Sequence, residues 1–229
     1  MTGSTSAAET LSGRIHAQLR ADILTGRYAA EEPLPSERRL SEELGASRHA
    51  VREALKRLQE AGLVTITQGG ATRVRDWRRH GGLELLLTLG TEGDAPESLR
   101  IPRATMEMRA CVGADAARRC AERATAELRA QLRARVEQLA AVEHPDARNA
   151  HYEVLWDLIV DGADNIAYRL ALTTLVAHQR IASVAPDAVA GELGAVEAVR
   201  ALVRAIEDGD ADTAHGLARG LLERSIPEE

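Results

Sequence analysis

From Gly13 onward apolar residues recur at helical spacing, at Ile15, Leu19, Ile23 and Leu24, and the pattern stops at Gly26, which predicts a first helix. Two prolines in Glu31-Glu32-Pro33-Leu34-Pro35 then forbid helix and extend the chain. Ser36 is a natural N-cap for a second helix that turns Leu40 and Leu44 inward and ends at Gly45. Ser47 caps a third, with Val51, Leu55 and Leu58 on one apolar face and Gly62 at its exit. The connection Gly45-Ala46-Ser47 has the length of a helix-turn-helix turn. After Gly62 the period changes to alternation in Leu63-Val64-Thr65-Ile66-Thr67. Gln68-Gly69-Gly70-Ala71 turns the chain and Thr72-Arg73-Val74-Arg75 brings it back, as in a short hairpin, or wing.

A basic segment, 75–80, leads to a small apolar helix over 83–89 and a polar connector, 91–98, with Gly93 and Pro96. From about Pro102 only helical signals follow, in segments near 103–123, 125–142, 147–161, 165–183, 187–207 and 210–224. The expected fold is mainly α: an N-terminal winged helix-turn-helix with a small β-hairpin wing, then a C-terminal all-α helical bundle. The expected organisation is a flexible tail at 1–12, a winged helix-turn-helix at 13–75, a linker with a short helix at 76–101, and a helical effector-binding and dimerisation domain at 102–229.

At 229 residues the chain suits two domains of ordinary size. Cys111 and Cys120 are too few for a disulfide framework, and no charged-then-apolar leader or long apolar run is present, so a cytoplasmic setting without membrane contact is expected. The net charge of -6 argues against nucleic-acid binding until it is divided along the chain. Residues 1–80 carry 13 basic against 10 acidic side chains, the remainder 16 against 25, so a mildly basic head precedes an acidic body.

A recognition helix places cations and small polar groups of its first turns on base edges and phosphates. The third helix begins Ser47-Arg48-His49-Ala50-Val51-Arg52, and Arg48 and Arg52, four apart, share a face opposite the apolar stripe. An arginine fork fits guanine or phosphate, and the helix N-terminus adds attraction for phosphate. Arg38 can reach the backbone or groove from the side, and Gln68, Gly69 and Arg73 suit the minor groove. The candidate DNA contacts are therefore Arg38, Ser47, Arg48, His49, Arg52, Gln68, Gly69 and Arg73. Ordinary solvated arginines are the alternative for any one of them, but not for the ordered series of elements.

The runs Leu34-Pro35-Ser36-Glu37-Arg38-Arg39-Leu40, Leu44-Gly45-Ala46-Ser47-Arg48, Val51-Arg52-Glu53-Ala54-Leu55 and Ala61-Gly62-Leu63-Val64 resemble the GntR family of bacterial regulators over about 60 residues. The resemblance implies DNA contacts from Arg38, Arg48, Arg52 and Gly69, and a homodimer on a palindromic operator of double-stranded DNA. In the wing Ala71 stands for the second family glycine and Arg73 for the aromatic, which resembles the fatty-acid-responsive FadR branch. The long helical second domain is similar to the same subfamily.

Members of that subfamily hold either a divalent metal with a small carboxylate, through an aspartate and three histidines, or a long-chain acyl-CoA without metal. Anchored on Asn165 and on Gly209-Asp210, the four ligand positions fall on Tyr152, Trp156, Val199 and Leu221, none of them a usual metal ligand. No metal or other cofactor is therefore expected. The chain has only five aromatic residues, yet Tyr152, Trp156 and Tyr168 cluster, with Tyr152 and Trp156 on one helix face. They either fill the core or line an apolar pocket. Arg109 stands where the subfamily keeps an arginine; it anchors an effector's carboxylate, thioester or phosphate, or else pairs with Glu107 or a neighbouring helix. The candidate effector contacts are Arg109, Tyr152, Trp156, Asn165 and Tyr168.

His151 and His178 fit structural hydrogen bonds better than a rearranged metal site. No nucleophile elbow, phosphate loop or Cys/His cluster calls for catalysis, so an enzyme is not expected. The expected activity is DNA-binding transcriptional regulation, released or modulated by a fatty acid or long-chain acyl-CoA. The alternative effector is a small organic acid, with or without metal.

Overall fold

The computed structural model describes residues 10–67, 70–89, 100–181 and 189–227. Most of the expected tail, the connector at 91–98 and the wing residues Gln68 and Gly69 lie outside the described residues, as does the side chain of His178. The chain divides into two compact units, the first ending at Leu85 and the second beginning at Leu86. The unit boundary thus falls inside the segment read from sequence as a linker.

In the first unit α1 (Leu11–Leu24) begins two residues ahead of Gly13, because Thr10 caps it: its Oγ1 accepts the Gly13 N–H at 3.2 Å. Helix α2 (Glu37–Glu43) is capped by Ser36 through the Arg39 N–H, and α3 (Arg48–Glu60) by Ser47 through the Ala50 N–H. Between them Gly45 takes φ +59, which an L side chain resists, and Ser41 braces the turn by donating its hydroxyl to the Ala46 carbonyl. Ile15, Leu19 and Ile23 of α1, Leu40 of α2, and Val51, Ala54, Leu55 and Leu58 of α3 form the buried core.

The wing strands are shorter than the alternation predicts. β1 (Val64–Thr65) and β2 (Arg73–Val74) pair antiparallel, Val64 facing Val74 and Thr65 facing Arg73. The other edge of β2 is taken by the proline-rich stretch. Glu31 N–H donates to Val74 O at 2.8 Å, Val74 N–H to Glu32 O at 2.9 Å and Leu34 N–H to Thr72 O at 2.8 Å. The prolines thus sit where a sheet tolerates them, on an edge.

The basic segment after the wing forms a short helix, α4 (Trp77–His80), that folds back on the exit of α3. Gly62 there has φ +73, and a Cβ would stand 2.5 Å from the His80 carbonyl oxygen. A single 3-10 turn, Leu83–Leu85, follows.

The second unit begins with α5 (Leu86–Leu89) and continues as α6 (Ile101–Arg123), α7 (Ala126–Ala141), α8 (Pro145–Gly162) and α9 (Ile166–Ile181). Then come α10 (Ala190–Leu193), α11 (Val196–Asp208), α12 (Ala211–Leu222) and a 3-10 turn, Glu223–Ser225. Five of the six expected segments fall within two residues of an observed helix.

The segment read as one helix over 187–207 is instead two, α10 and α11, interrupted at Gly194-Ala195. Gly194 is a weak helix former and stands at the C-cap of α10, with Ala195 at the N-cap of α11. Helix α6 is the hub, packed against α8, α9, α11 and α12. Its inward face is built from small residues, Ala110, Gly113, Ala114, Ala117 and Ala121, so that neighbouring helices come close. The main core of this unit gathers Leu132, Val136, Leu155, Ile159, Val199, Leu202, Ile206 and Leu221.

Candidate nucleic-acid interface and buried polar site

On the head, Ser47, Arg48, His49 and Arg52 are exposed at the start of α3, while Val51, Leu55 and Leu58 are buried on its opposite face. Arg48 makes no hydrogen bond or ion pair among the described residues, so its guanidinium is available to an incoming anion. Arg52 is held. Its Nη2 lies 2.9 Å from Glu37 Oε2, and its Nε donates to both carboxylate oxygens. The hydrogen bond from Arg52, more than its charge, holds the Glu37 carboxyl below its ordinary range, and Arg48 adds to the effect from a distance.

Arg38 is exposed, with Nη1 3.8 Å from Glu42 Oε1. Arg73 lies on β2 and its Nη1 donates to the Glu31 carbonyl at 2.9 Å, so the residue read as a groove contact also ties the wing to the extended segment. Gln68 and Gly69 fall outside the described residues. Sequence reading did not find Glu37 as the partner of Arg52: the two are 15 residues apart on different helices, beyond any helical spacing rule.

In the body, the structure brings together three of the five candidate effector contacts. Arg109 on α6 donates Nη1 to Glu192 Oε1 at 2.6 Å and Nη2 to Glu192 Oε2 at 2.8 Å. Tyr152 on α8 donates its hydroxyl to Glu192 Oε2 at 2.6 Å, and the Ser225 hydroxyl donates to Oε1. Arg109 is 7% exposed and Glu192 0%. Trp156 meets Tyr152 edge to face, centroids 6.3 Å apart, and its buried Nε1 has the Tyr152 hydroxyl as its polar neighbour.

Burial works against the charge of Arg109, but the hydrogen bonds and charge of Glu192 more than offset it, and its pKa is raised. Burial and then the charge of Glu192 hold Tyr152 protonated far above its usual range. Removing one member of such a pair strands the other's charge, at a cost on the order of 3 to 5 kcal/mol.

Of the two ion-pair partners expected for Arg109, Glu107 pairs instead with Arg103 at 2.9 Å, and the neighbouring helix is α10, through Glu192, a residue the sequence did not single out. Glu192 lies in a four-residue helix 83 positions from Arg109, and no spacing rule links the two. Asn165 and Tyr168 stand elsewhere. Asn165 Oδ1 caps α9, accepting the N–H groups of Ala167 at 3.0 Å and Tyr168 at 3.4 Å. Tyr168 donates its hydroxyl to Asp115 Oδ2 at 2.6 Å and packs on a second, smaller core with Val160 and Leu175.

The positions aligned with metal ligands do converge: Tyr152, Val199 and Leu221 are buried in one core, with Trp156 packed against them. Among the described residues no group of three or more His, Cys, Asp or Glu is placed to hold a metal. His151 Nδ1 lies 3.0 Å from Arg135 Nη1. No described helix is long and apolar enough to cross a membrane.

Residues 11–74 match the model of bacterial regulatory proteins of the gntR family, and residues 104–224 match the FCD domain. The HTH-type transcriptional regulator Mce2R of Mycobacterium tuberculosis is 38% identical over 207 residues, 90% of this chain and 86% of that protein. A fatty acid metabolism regulator protein of Vibrio cholerae is 37% identical over 84 residues, 37% of this chain and 30% of that protein. Among solved structures, Lar, described as controlling expression of the Listeria monocytogenes agr system, is 15% identical. It covers 95% of both chains with a TM-score of 0.53, a likeness of fold.

Proposed function

The chain belongs to the GntR family of bacterial regulatory proteins, with an FCD domain as its second half, and from that premise we propose how this DNA-binding transcriptional regulator works. It acts as a homodimer on a palindromic operator, and a fatty acid or its CoA thioester, bound in the helical body, alters its hold on DNA. One reading head per chain needs a symmetry-related partner to read two half-sites.

The observation that supports the head's assignment is the exposed guanidinium of Arg48, unpaired among the described residues, beside the Glu37-held Arg52 at the capped start of α3. Arg38 and Arg73 flank it from α2 and the wing. For the body, the support is a buried arginine on the hub helix next to apolar core, together with the similarity to a protein named as a fatty acid metabolism regulator.

The test is to select operator sequences from a random duplex pool and then titrate oleoyl-CoA and oleate against the complex. Weakened or strengthened DNA binding at saturating ligand is expected; unchanged affinity with both would overturn the acyl-effector reading. A small organic acid remains the second reading, favoured by the carboxylate-shaped set of donors around Glu192.

A further inference from the structure

Glu192 meets more donors than an ion pair requires. Each carboxylate oxygen receives one guanidinium N–H of Arg109 and one hydroxyl, from Ser225 on Oε1 and from Tyr152 on Oε2. The donors stand on three separate supports: α6, α8 and the turn after α12. The acceptor hangs from the four-residue α10 alone.

One more buried polar atom nearby has no hydrogen-bond partner among the described residues. It is Thr105 Oγ1, one turn before Arg109 on α6. Polar atoms left unpaired in a core are costly unless something else is meant to meet them.

We infer that Arg109, Tyr152 and Ser225 form a carboxylate receptor that the chain fills with its own Glu192, and that a free carboxylic acid is the ligand chemistry that takes its place. A bidentate arginine with two flanking hydroxyls is complementary to a planar anion with two equivalent oxygens. A thioester offers one neutral oxygen and would leave the buried guanidinium uncompensated. A tethered carboxylate has a high effective concentration, so a free acid displaces it only with added apolar contact or a second polar group. The inference rests on reading the body as an effector domain and narrows the effector to an acid.

The experiment is chemical rescue. Glu192→Ala and Glu192→Gln are melted in rising sodium propionate against sodium chloride of equal ionic strength, beside the unaltered protein and the double variant Arg109→Met with Glu192→Ala. In both single variants Tm rises with the logarithm of propionate concentration, as for a ligand that binds only the folded state. The unaltered protein needs at least tenfold more propionate for the same rise, and the double variant responds no differently than to chloride.

Where a single variant is unfolded in chloride, propionate restores its helical circular dichroism. A rise or recovery absent from both single variants, or equally present in the double variant, overturns the receptor. Repeating the series with decanoate separates the two sources of a carboxylate. A response stronger by about fourfold per buried methylene marks a fatty acid, and an equal or weaker one a small acid; either keeps the receptor. Indifference of DNA binding to oleate and oleoyl-CoA would sink the acyl-effector reading and leave this result standing.

Discussion

Arg52 of α3 is joined to Glu37 of α2 by a guanidinium nitrogen 2.9 Å from a carboxylate oxygen, across the turn that the helix-turn-helix is named for. One of the two arginines on the face proposed to read DNA is thereby held in place, while Arg48 beside it makes no hydrogen bond or ion pair among the described residues. The pair also places a negative charge next to the surface proposed to meet phosphate.

Two opposite effects are expected from Glu37→Gln. Loss of the carboxylate removes repulsion and raises affinity for random duplex, with a steeper salt dependence. Loss of the clamp on Arg52 lowers discrimination between operator and random DNA by about tenfold, the low end of what one bidentate base contact supplies. Fluorescence anisotropy at several salt concentrations measures both, and an unchanged ratio would show that Arg52 needs no clamp.

Replacing Arg48 and Arg52 together by alanine abolishes specific binding, at about 1 to 3 kcal/mol for each arginine if it contacts a base. Both are exposed, so helical content and melting temperature stay close to the parent's. Operator affinity retained by the double variant would refute the assigned face.

Gly62→Ala tests the dock of α4 on the end of α3. The backbone at this glycine is left-handed, and the new Cβ would meet the His80 carbonyl oxygen at 2.5 Å. Strain of about 1 to 3 kcal/mol is expected, enough to lower the melting point of the head by several degrees. Calorimetry of the full chain reads it, and an unchanged melting profile would mean that neither the left-handed backbone nor the His80 carbonyl constrains this position.

Acid stability of the body depends in part on Asp115. The Tyr168 hydroxyl that it accepts, and the nearby Arg119, hold its carboxyl below its ordinary range. A depressed folded-state pKa contributes stability above the ordinary carboxylate range and loses it as pH falls through the folded value. Tyr168→Phe lets that pKa rise toward normal, so the variant is less stable at neutral pH and loses less on acidification. Urea midpoints between pH 7 and pH 3 measure the difference in slope; parallel curves would exclude the hydroxyl as its cause.

Much of the head was legible because its signals are local. Ser36 and Ser47 before apolar periods, Gly45 between them and the change of period after Gly62 each act within a few residues, and each has its structural counterpart. The body was legible as a set of helices for the same reason, apart from the break at Gly194. Partnerships were not legible. Glu37 with Arg52, Glu31 with Arg73 and Glu192 with Arg109 join residues 15, 42 and 83 positions apart, and sequence spacing has no rule for such distances.

By itself the sequence determined the kind of protein: a capped, arginine-led helix with a hairpin wing, followed by an acidic body built of helices. Those features depend on local periodicity, capping and residue chemistry, which the chain carries without its fold. Only the tertiary structure decided what Arg109 and Tyr152 face, because a buried charge is satisfied by whichever element packing delivers. Here α10 delivers Glu192, and with it the carboxylate that the body encloses.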